Sequence, residues 1–282
     1  MSDFELDNIV AHMKRVSPAG NRILRKLQKL IAGLVVVFVL LFLWWALVKY
    51  FAPPPFILPG PERVIITLIY QFDYLASHGA ITLLEIVLGL LVGTALGVAT
   101  ALLAVQFPLA GRVILPTIST SQALPVFAIA PLLVIWFGLG LGSKIAMATL
   151  IIYFPVTSAL IDGLERTDRG LVDLARLYGA SRLQTLFLIR FPAAMPSFAT
   201  GLKVAATIAP IGAIVGEWVG SSSGLGFIIL QSNARMQTDI VFAALVVLAV
   251  IAISVRSLVS FLADYFIHWT PKTTNYSNHS QD

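Results

Sequence analysis

The sequence predicts an all-α integral membrane protein of about six transmembrane helices with both termini in the cytoplasm. The first observation behind this is compositional. Of 282 residues, 58% are hydrophobic and 12% charged, with a mean hydropathy of +0.89, a balance that belongs to chains dissolved in lipid. The second is the recurrence of apolar stretches close to the roughly 20 residues that cross a hydrocarbon core. The third is the distribution of charge. Six basic residues (Lys14, Arg15, Arg22, Arg25, Lys26, Lys29) precede the first apolar stretch, and five arginines (Arg166, Arg169, Arg176, Arg182, Arg190) lie in a polar insert at 162–192. The first loop holds Arg63 alone beyond Lys49 at its border, and the third only Lys144. Positive charge in alternate loops is the positive-inside pattern, and it accounts for a net charge of +5 and a pI near 9.6 with no nucleic-acid partner. The absence of cysteine excludes disulfides, thiol catalysis and cysteine-ligated metal.

Residues 1–30 set their six basic residues against three acids, Asp3, Glu5 and Asp7, with a weak apolar period through Ile23, Leu24, Leu27 and Leu30. They read as a basic juxtamembrane segment, either an orientation signal alone or also a contact for anionic membrane lipid. Ile31 to Phe51 is the first span, too long and too poor in small flanking residues for a removable signal peptide. Trp44, Trp45 and Tyr50 fall at its far interface. Pro53 to Pro55 and Leu58-Pro59-Gly60-Pro61 then break any helix and place an extracytoplasmic stretch.

Thr82 to Val105 is the second span. Gly89, Gly93 and Gly97 recur four apart on one face, which lets helix backbones approach where lipid offers no hydrophobic drive. The third, Val113 to Gly138, contains Pro116, Pro125 and Pro131, and each proline frees a carbonyl that must be covered by protein or a water-filled path. The run GLGLGSK at 138–144 is not a phosphate loop, because Ser143 stands where glycine must precede the lysine and Ile145 where Ser/Thr must follow. Ile145 to Ile161 is the fourth span, Ala193 to Val215 the fifth and Ile240 to Leu262 the sixth.

Between the fourth and fifth spans, Leu171, Leu174, Ala175 and Tyr178 fall at helical spacing, Gly179 is placed as a left-handed C-cap, and Leu183, Leu186 and Phe187 resume the period. Ser181 followed by Gln184 fits a capping box at the start of a second short helix. Two other readings suit these residues, an amphipathic loop on the membrane surface and a DNA-binding helix-turn-helix. The second is opposed by the tethering of the insert to spans at both ends.

After the fifth span, the run GSSSGLG at 220–226 reads as an external loop or an anion cradle built of backbone N–H groups. Lys203 sits close enough to a helix end to reach the surface rather than an anionic solute. The chain thus divides into a cytoplasmic N-terminal segment 1–30, a transmembrane domain 31–262 with its insert at 162–192, and a cytoplasmic tail 263–282. Asn275-Tyr276-Ser277 and Asn278-His279-Ser280 in the tail match glycosylation acceptors that carry no meaning on the cytoplasmic side.

The order Asp173, Ala175, Gly179, then Ile189-Arg190-Phe191-Pro192 resembles the "EAA" signature of ABC-importer permeases, with Asp173 in place of Glu, Leu174 of the first Ala and Phe191 of Leu. Gln122-Ala123-Leu124-Pro125 through Trp136-Phe137-Gly138 resembles the third span of permeases for nitrate, sulfonates, taurine and thiamine precursors. The resemblance implies a MetI-like core and a coupling segment on the ATPase, with Asp173, Ala175, Gly179, Ser181, Ile189 and Pro192 as its residues. It also implies partners: ABC ATPase subunits, a periplasmic or lipid-anchored substrate-binding protein, and a second permease copy forming a homodimer in a bacterial inner membrane. The chain itself is then no enzyme and binds no cofactor or metal; ATP is used by the partner. Gly216 to Thr238 looks more like permeases for pyrimidine precursors of thiamine than like the nitrate or sulfonate branch. On that likeness Trp218 would stack on a flat heterocycle, and Glu217, Gln231 and Asn233 would meet its polar atoms. Sulfonate, taurine, nitrate and riboflavin are the alternative solutes. An ion-coupled secondary transporter is the alternative class, opposed by the position of Glu85 and Glu217 near predicted span ends.

Overall fold

The computed structural model describes residues 18–121, 125–267 and 269. Lys14 and Arg15, the Gln122-Ala123-Leu124 part of the third-span motif, and the two tail glycosylation patterns lie outside the described residues. Every regular element among the described residues is helical. Two compact units divide the chain, Met1–Ile65 and Ile66–Asp282.

The first unit is built on α1 (Pro18–Phe51). From Ile31 onward its side chains are exposed or half-exposed and apolar on every side, the surface expected of a helix solvated by lipid. Trp45 Nε1 donates to Glu62 Oε1 at 2.9 Å. Glu62 is in the first turn of α2 (Pro61–Tyr70), whose opening proline gives up only an N–H that a helix start leaves unpaired.

The second unit continues with α3 (Phe72–Gln106), α4 (Pro108–Ser121), α5 (Val126–Phe137) and α6 (Leu141–Glu165). After these come α7 (Arg169–Leu177), α8 (Arg182–Thr185), a π turn (Leu186–Arg190), α9 (Phe191–Trp218), α10 (Leu225–Ala234) and α11 (Thr238–Phe266). Among the described residues, five helices are long and apolar enough to cross a membrane: Ile31–Phe51, Phe72–Gln106, Leu141–Glu165, Arg182–Trp218 and Thr238–Phe266. The remaining expected span, the third, Val113 to Gly138, is shared between α4 and α5, of 14 and 12 residues. Pro125, extended at φ −65° and ψ 106°, stands immediately before α5 and carries no N–H with which to extend α4. Either piece alone is short of the roughly 20 residues a bilayer asks for.

Two further boundaries differ from the sequence reading. α3 begins at Phe72 rather than Thr82 and runs 35 residues, a rise of about 52 Å. The fifth span is continuous with the second short helix of the insert, because the π turn joins α8 to α9. Phe191 N–H donates to Leu186 O, five residues back, so the extra residue in the turn passes the chain over Pro192, which has no N–H to offer Leu188.

The core is where α3, α6 and α9 meet, and small residues let them close. A Cβ on Gly89 would stand 2.5 Å from Ala148 Cβ, on Gly93 2.9 Å from Ile152 Cγ2, and on Gly97 2.9 Å from Thr157 Oγ1. The glycine row of α3 therefore packs on α6 within this one chain. α9 also closes on α6, with Gly212 over Ala148 and Gly216 over Lys144, its virtual Cβ 2.8 and 3.1 Å from their Cα atoms. Ile86, Leu90, Ile152, Val156 and the alanines Ala205, Ala206, Ala209 and Ala213 fill the space between. Lys203 forms a 2.6 Å ion pair with Asp264 of α11, so the lysine serves a helix contact.

Candidate functional site

The insert between α6 and α9 is built as a bend whose ends are pinned. Asp168 caps α7 by accepting from Gly170 N–H at 2.7 Å. At the far end Ala180 N–H donates to Ala175 O at 2.9 Å and Gly179 N–H to Arg176 O at 3.0 Å, the paired bonds of a Schellman motif. That motif places its C′ residue in the left-handed region, and Gly179 has φ +77°. The Ser181 hydroxyl accepts from Gln184 N–H at 3.2 Å while Ser181 N–H donates to Gln184 Oε1 at 2.8 Å, so the capping box is complete.

Arg190 then fixes the bend to the membrane helices. Its Nε and Nη2 both donate to Leu164 O, at 3.2 and 2.9 Å. Ala175 is the buried residue of α7, and Ile189 and Pro192 are half-buried where the segment re-enters the helix. Asp173 stays exposed and pairs with Arg176 one turn on, at 3.1 Å, rather than standing as an unpaired carboxylate. The outward face is apolar: Leu174 is 49% exposed, Leu177 84% and Tyr178 85%, with Leu171, Leu183 and Leu188 also open. An apolar stripe on a polar insert, rimmed by Arg169, Arg176 and Arg182, is a surface shaped for a partner.

The second set of expected residues lies at the other end of α9. Glu217 is 1% exposed, and both its oxygens are committed: Oε1 accepts from Thr82 Oγ1 at 2.5 Å, and Oε2 accepts from Gly226 N–H. Thr82 Oγ1 accepts in turn from Leu225 N–H at 2.8 Å, and His78 Nδ1 accepts from Gly224 N–H at 3.0 Å. The amides expected to be available for an anion are thus spent on α9 and α3, and a side chain at Gly224, φ +100°, would overlap the Glu217 carboxylate. Trp218 is 48% exposed, Gln231 half-buried and Asn233 exposed, and none of the three is a hydrogen-bond partner of Glu217.

Beside Glu217 sits a group that sequence reasoning does not assemble. Glu85 is fully buried, its carboxyl next to that of Glu217 and 3.9 Å from Lys144 Nζ, which belongs to a residue itself 4% exposed. A start of the second span at Thr82 puts Glu85 near a span end; in the structure it is in the fourth turn of a long helix. The available signal is an acid inside the apolar run Leu83 to Val92 and a lysine directly before the apolar run that opens at Ile145. The position of the two acids therefore gives no argument against ion-coupled transport.

Between α6 and α9, a groove of about 540 Å³ is lined by Phe154, Pro155, Ser158, Asp162, Thr200 and Gly201 among others. Asp162 is its one charged lining residue among the described residues. Pro155 O and Ala159 come so close to Gly201 that only glycine fits there.

Residues 89–269 match the family described as the binding-protein-dependent transport system inner membrane component. A probable ABC transporter permease protein of Haemophilus influenzae is 47% identical over 240 residues, 85% of this chain and 96% of that protein. The formylaminopyrimidine transport permease protein ThiX of Halalkalibacterium halodurans is 32% identical over 236 residues, 83% of this chain and 94% of that one. Among solved structures, the MetNI methionine ABC transporter in inward-facing conformations superposes with a TM-score of 0.54 at 19% identity, over 71% of this chain and 96% of that chain, a likeness of fold.

Proposed function

The chain belongs to the family of binding-protein-dependent transport system inner membrane components, and from that premise we propose that its solute is a pyrimidine precursor of thiamine. It is a permease subunit of an ABC importer, and the ATPase activity resides in a separate subunit. Membership implies ATPase and substrate-binding-protein partners, and excludes the ion-coupled reading that the buried acids alone leave open. The finer reading has two copies of the chain in a bacterial inner membrane, both termini and the insert in the cytoplasm, and the insert seated on the ATPase.

The observation that carries the coupling reading is the exposed stripe Leu171, Leu174, Leu177 and Tyr178, held rigid by the Schellman motif and by Arg190. A docking element needs an apolar face open to a partner and a frame stiff enough to pass on displacement. ATP-driven closure of the ATPase pair would then bias the permease between two states.

The solute reading is supported by the 32% identity to ThiX and by the groove, whose single charged lining residue among those described is the carboxylate-bearing Asp162. A negative group in an otherwise neutral groove suits a neutral or amino-bearing heterocycle and disfavours nitrate and the sulfonates, taurine among them. Trp218 remains available as a stacking surface, with Gln231 and Asn233 as polar contacts. Binding of formylaminopyrimidine, riboflavin, taurine and an alkanesulfonate to the partner binding protein tests this. The reading expects tight binding of the pyrimidine alone; tight binding of the sulfonate with none of the pyrimidine overturns it.

A further inference from the structure

Three buried ionisable side chains, one each from α3, α6 and α9, converge at one point: Glu85, Lys144 and Glu217 are 0%, 4% and 1% exposed. Lys144 is in the first turn of α6, and Glu217 is the second-last residue of α9. The coupling segment joins the opposite ends of the same two helices, where Arg190 ties them through Leu164. The helix pair is therefore tied next to the insert by a hydrogen-bonded arginine, and at the far end each helix meets α3, Lys144 through Glu85 and Glu217 through Thr82. Along its length the contact is made by Gly201, Ala205, Ala209, Gly212 and Gly216, a close-packed seam that carries no polar side chain to fix its register.

Glu217 has its hydrogen bonds, and the Glu85 carboxyl lies against that of Glu217. Lys144 at 3.9 Å is the one cation among the described residues that faces the two carboxyls, with Thr82 and His78 of α3 completing the polar surroundings. Such a cluster adds little stability over an apolar filling, and its best-attested use is to specify register, since any slip leaves a buried charge without its partner.

We propose that Glu85, Lys144 and Glu217 are positioning residues for transport: they lock α3, α6 and α9 in one register, so that displacement of the coupling segment travels to the far side of the membrane as a rigid-body movement. The proposal rests on the coupling reading of the insert. Without the lock, apolar packing alone holds α3 to α6 and α9, and movement at the insert is absorbed before it reaches α10. Glu217, which also holds the N-terminus of α10, links the lock to that helix directly.

Spin labels at Arg166→Cys and Leu230→Cys, both exposed positions of a cysteine-free chain, report the distance between the insert end of α6 and α10. The full chain, its doubly labelled copies diluted into unlabelled ones so that each transporter carries one labelled copy, is reconstituted in lipid nanodiscs with its ATPase and measured with and without ATP. The wild-type chain is expected to give one narrow distance that ATP leaves unchanged. Glu85→Gln with Lys144→Met should broaden or shift the distribution when ATP binds, and the exchange Glu85→Lys with Lys144→Glu should restore a narrow one. An unchanged narrow distance in the neutral double variant, or a shift in the wild type, overturns the proposal. So does failure of both variants to fold, which makes the cluster a folding determinant only. Absence of permease-stimulated ATP hydrolysis in the wild type would count instead against the coupling reading.

Discussion

Arg190, in the turn that enters α9, donates through Nε and Nη2 to the carbonyl oxygen of Leu164, one residue before the end of α6. The contact closes the insert into a loop whose two feet are held together, and with the Thr167 hydroxyl, which donates to the same oxygen at 3.1 Å, it satisfies a carbonyl that a helix terminus leaves without an intrahelical partner. A planar guanidinium is suited to this, because two of its donors converge on one oxygen without rearrangement.

Arg190→Lys keeps the charge and loses the fork. We expect a stability loss of about 1.5–3 kcal/mol, the scale of a hydrogen bond from a charged donor, read as a lower thermal midpoint in detergent, together with weaker co-purification of the ATPase. Unchanged values for both would mean that the clamp is incidental.

Gly179→Asp and Ala175→Phe should leave the chain inserted and uncouple it. At φ +77° a non-glycine residue is strained by about 1–2 kcal/mol, and a phenyl ring cannot occupy the buried site of Ala175. The check is membrane yield against ATP-dependent uptake; variants with wild-type uptake would remove the insert from the coupling path.

Much of this bend is legible in the sequence because it is local chemistry. Gly179, Ser181 and Gln184 announce their roles through fixed spacing and backbone demands. Non-local partners are not legible: nothing in the string says that Arg190 meets Leu164, or that Glu217 meets Thr82 and Gly226. Glu217 invites a solute-facing reading because a polar residue beside a Gly/Ser run looks external. Asp73 and His78 look like loop polarity, which puts the start of α3 ten residues late. That displacement hides the burial of Glu85.

Gly93→Leu tests the small-residue row. Its side chain would meet Ile152 at distances no real contact adopts, and overpacking of this kind costs about 1–3 kcal/mol. Gly33→Leu in α1 is the control, since no neighbour stands within 4 Å of its virtual Cβ among the described residues. Yield of folded protein should fall for the first and hold for the second; equal yields would contradict the packing.

Single cysteines at Ser181 and Ser222, both exposed, should react with an impermeant thiol reagent from opposite sides of the membrane. Labelling of both from one side would overturn the assignment of the insert to the cytoplasm and of the 219–224 turn to the outside.

On the proposed function this permease moves solute only when coupled to an ATPase, and uptake into proteoliposomes measures that dependence. Vesicles holding the chain, with its binding protein and radiolabelled formylaminopyrimidine outside, are compared with and without the ATPase subunit, and with ATP or an imposed ion gradient as the energy source. Uptake is expected with ATPase and ATP together, and none with the ion gradient alone. Uptake driven by the gradient in vesicles lacking the ATPase would contradict that dependence.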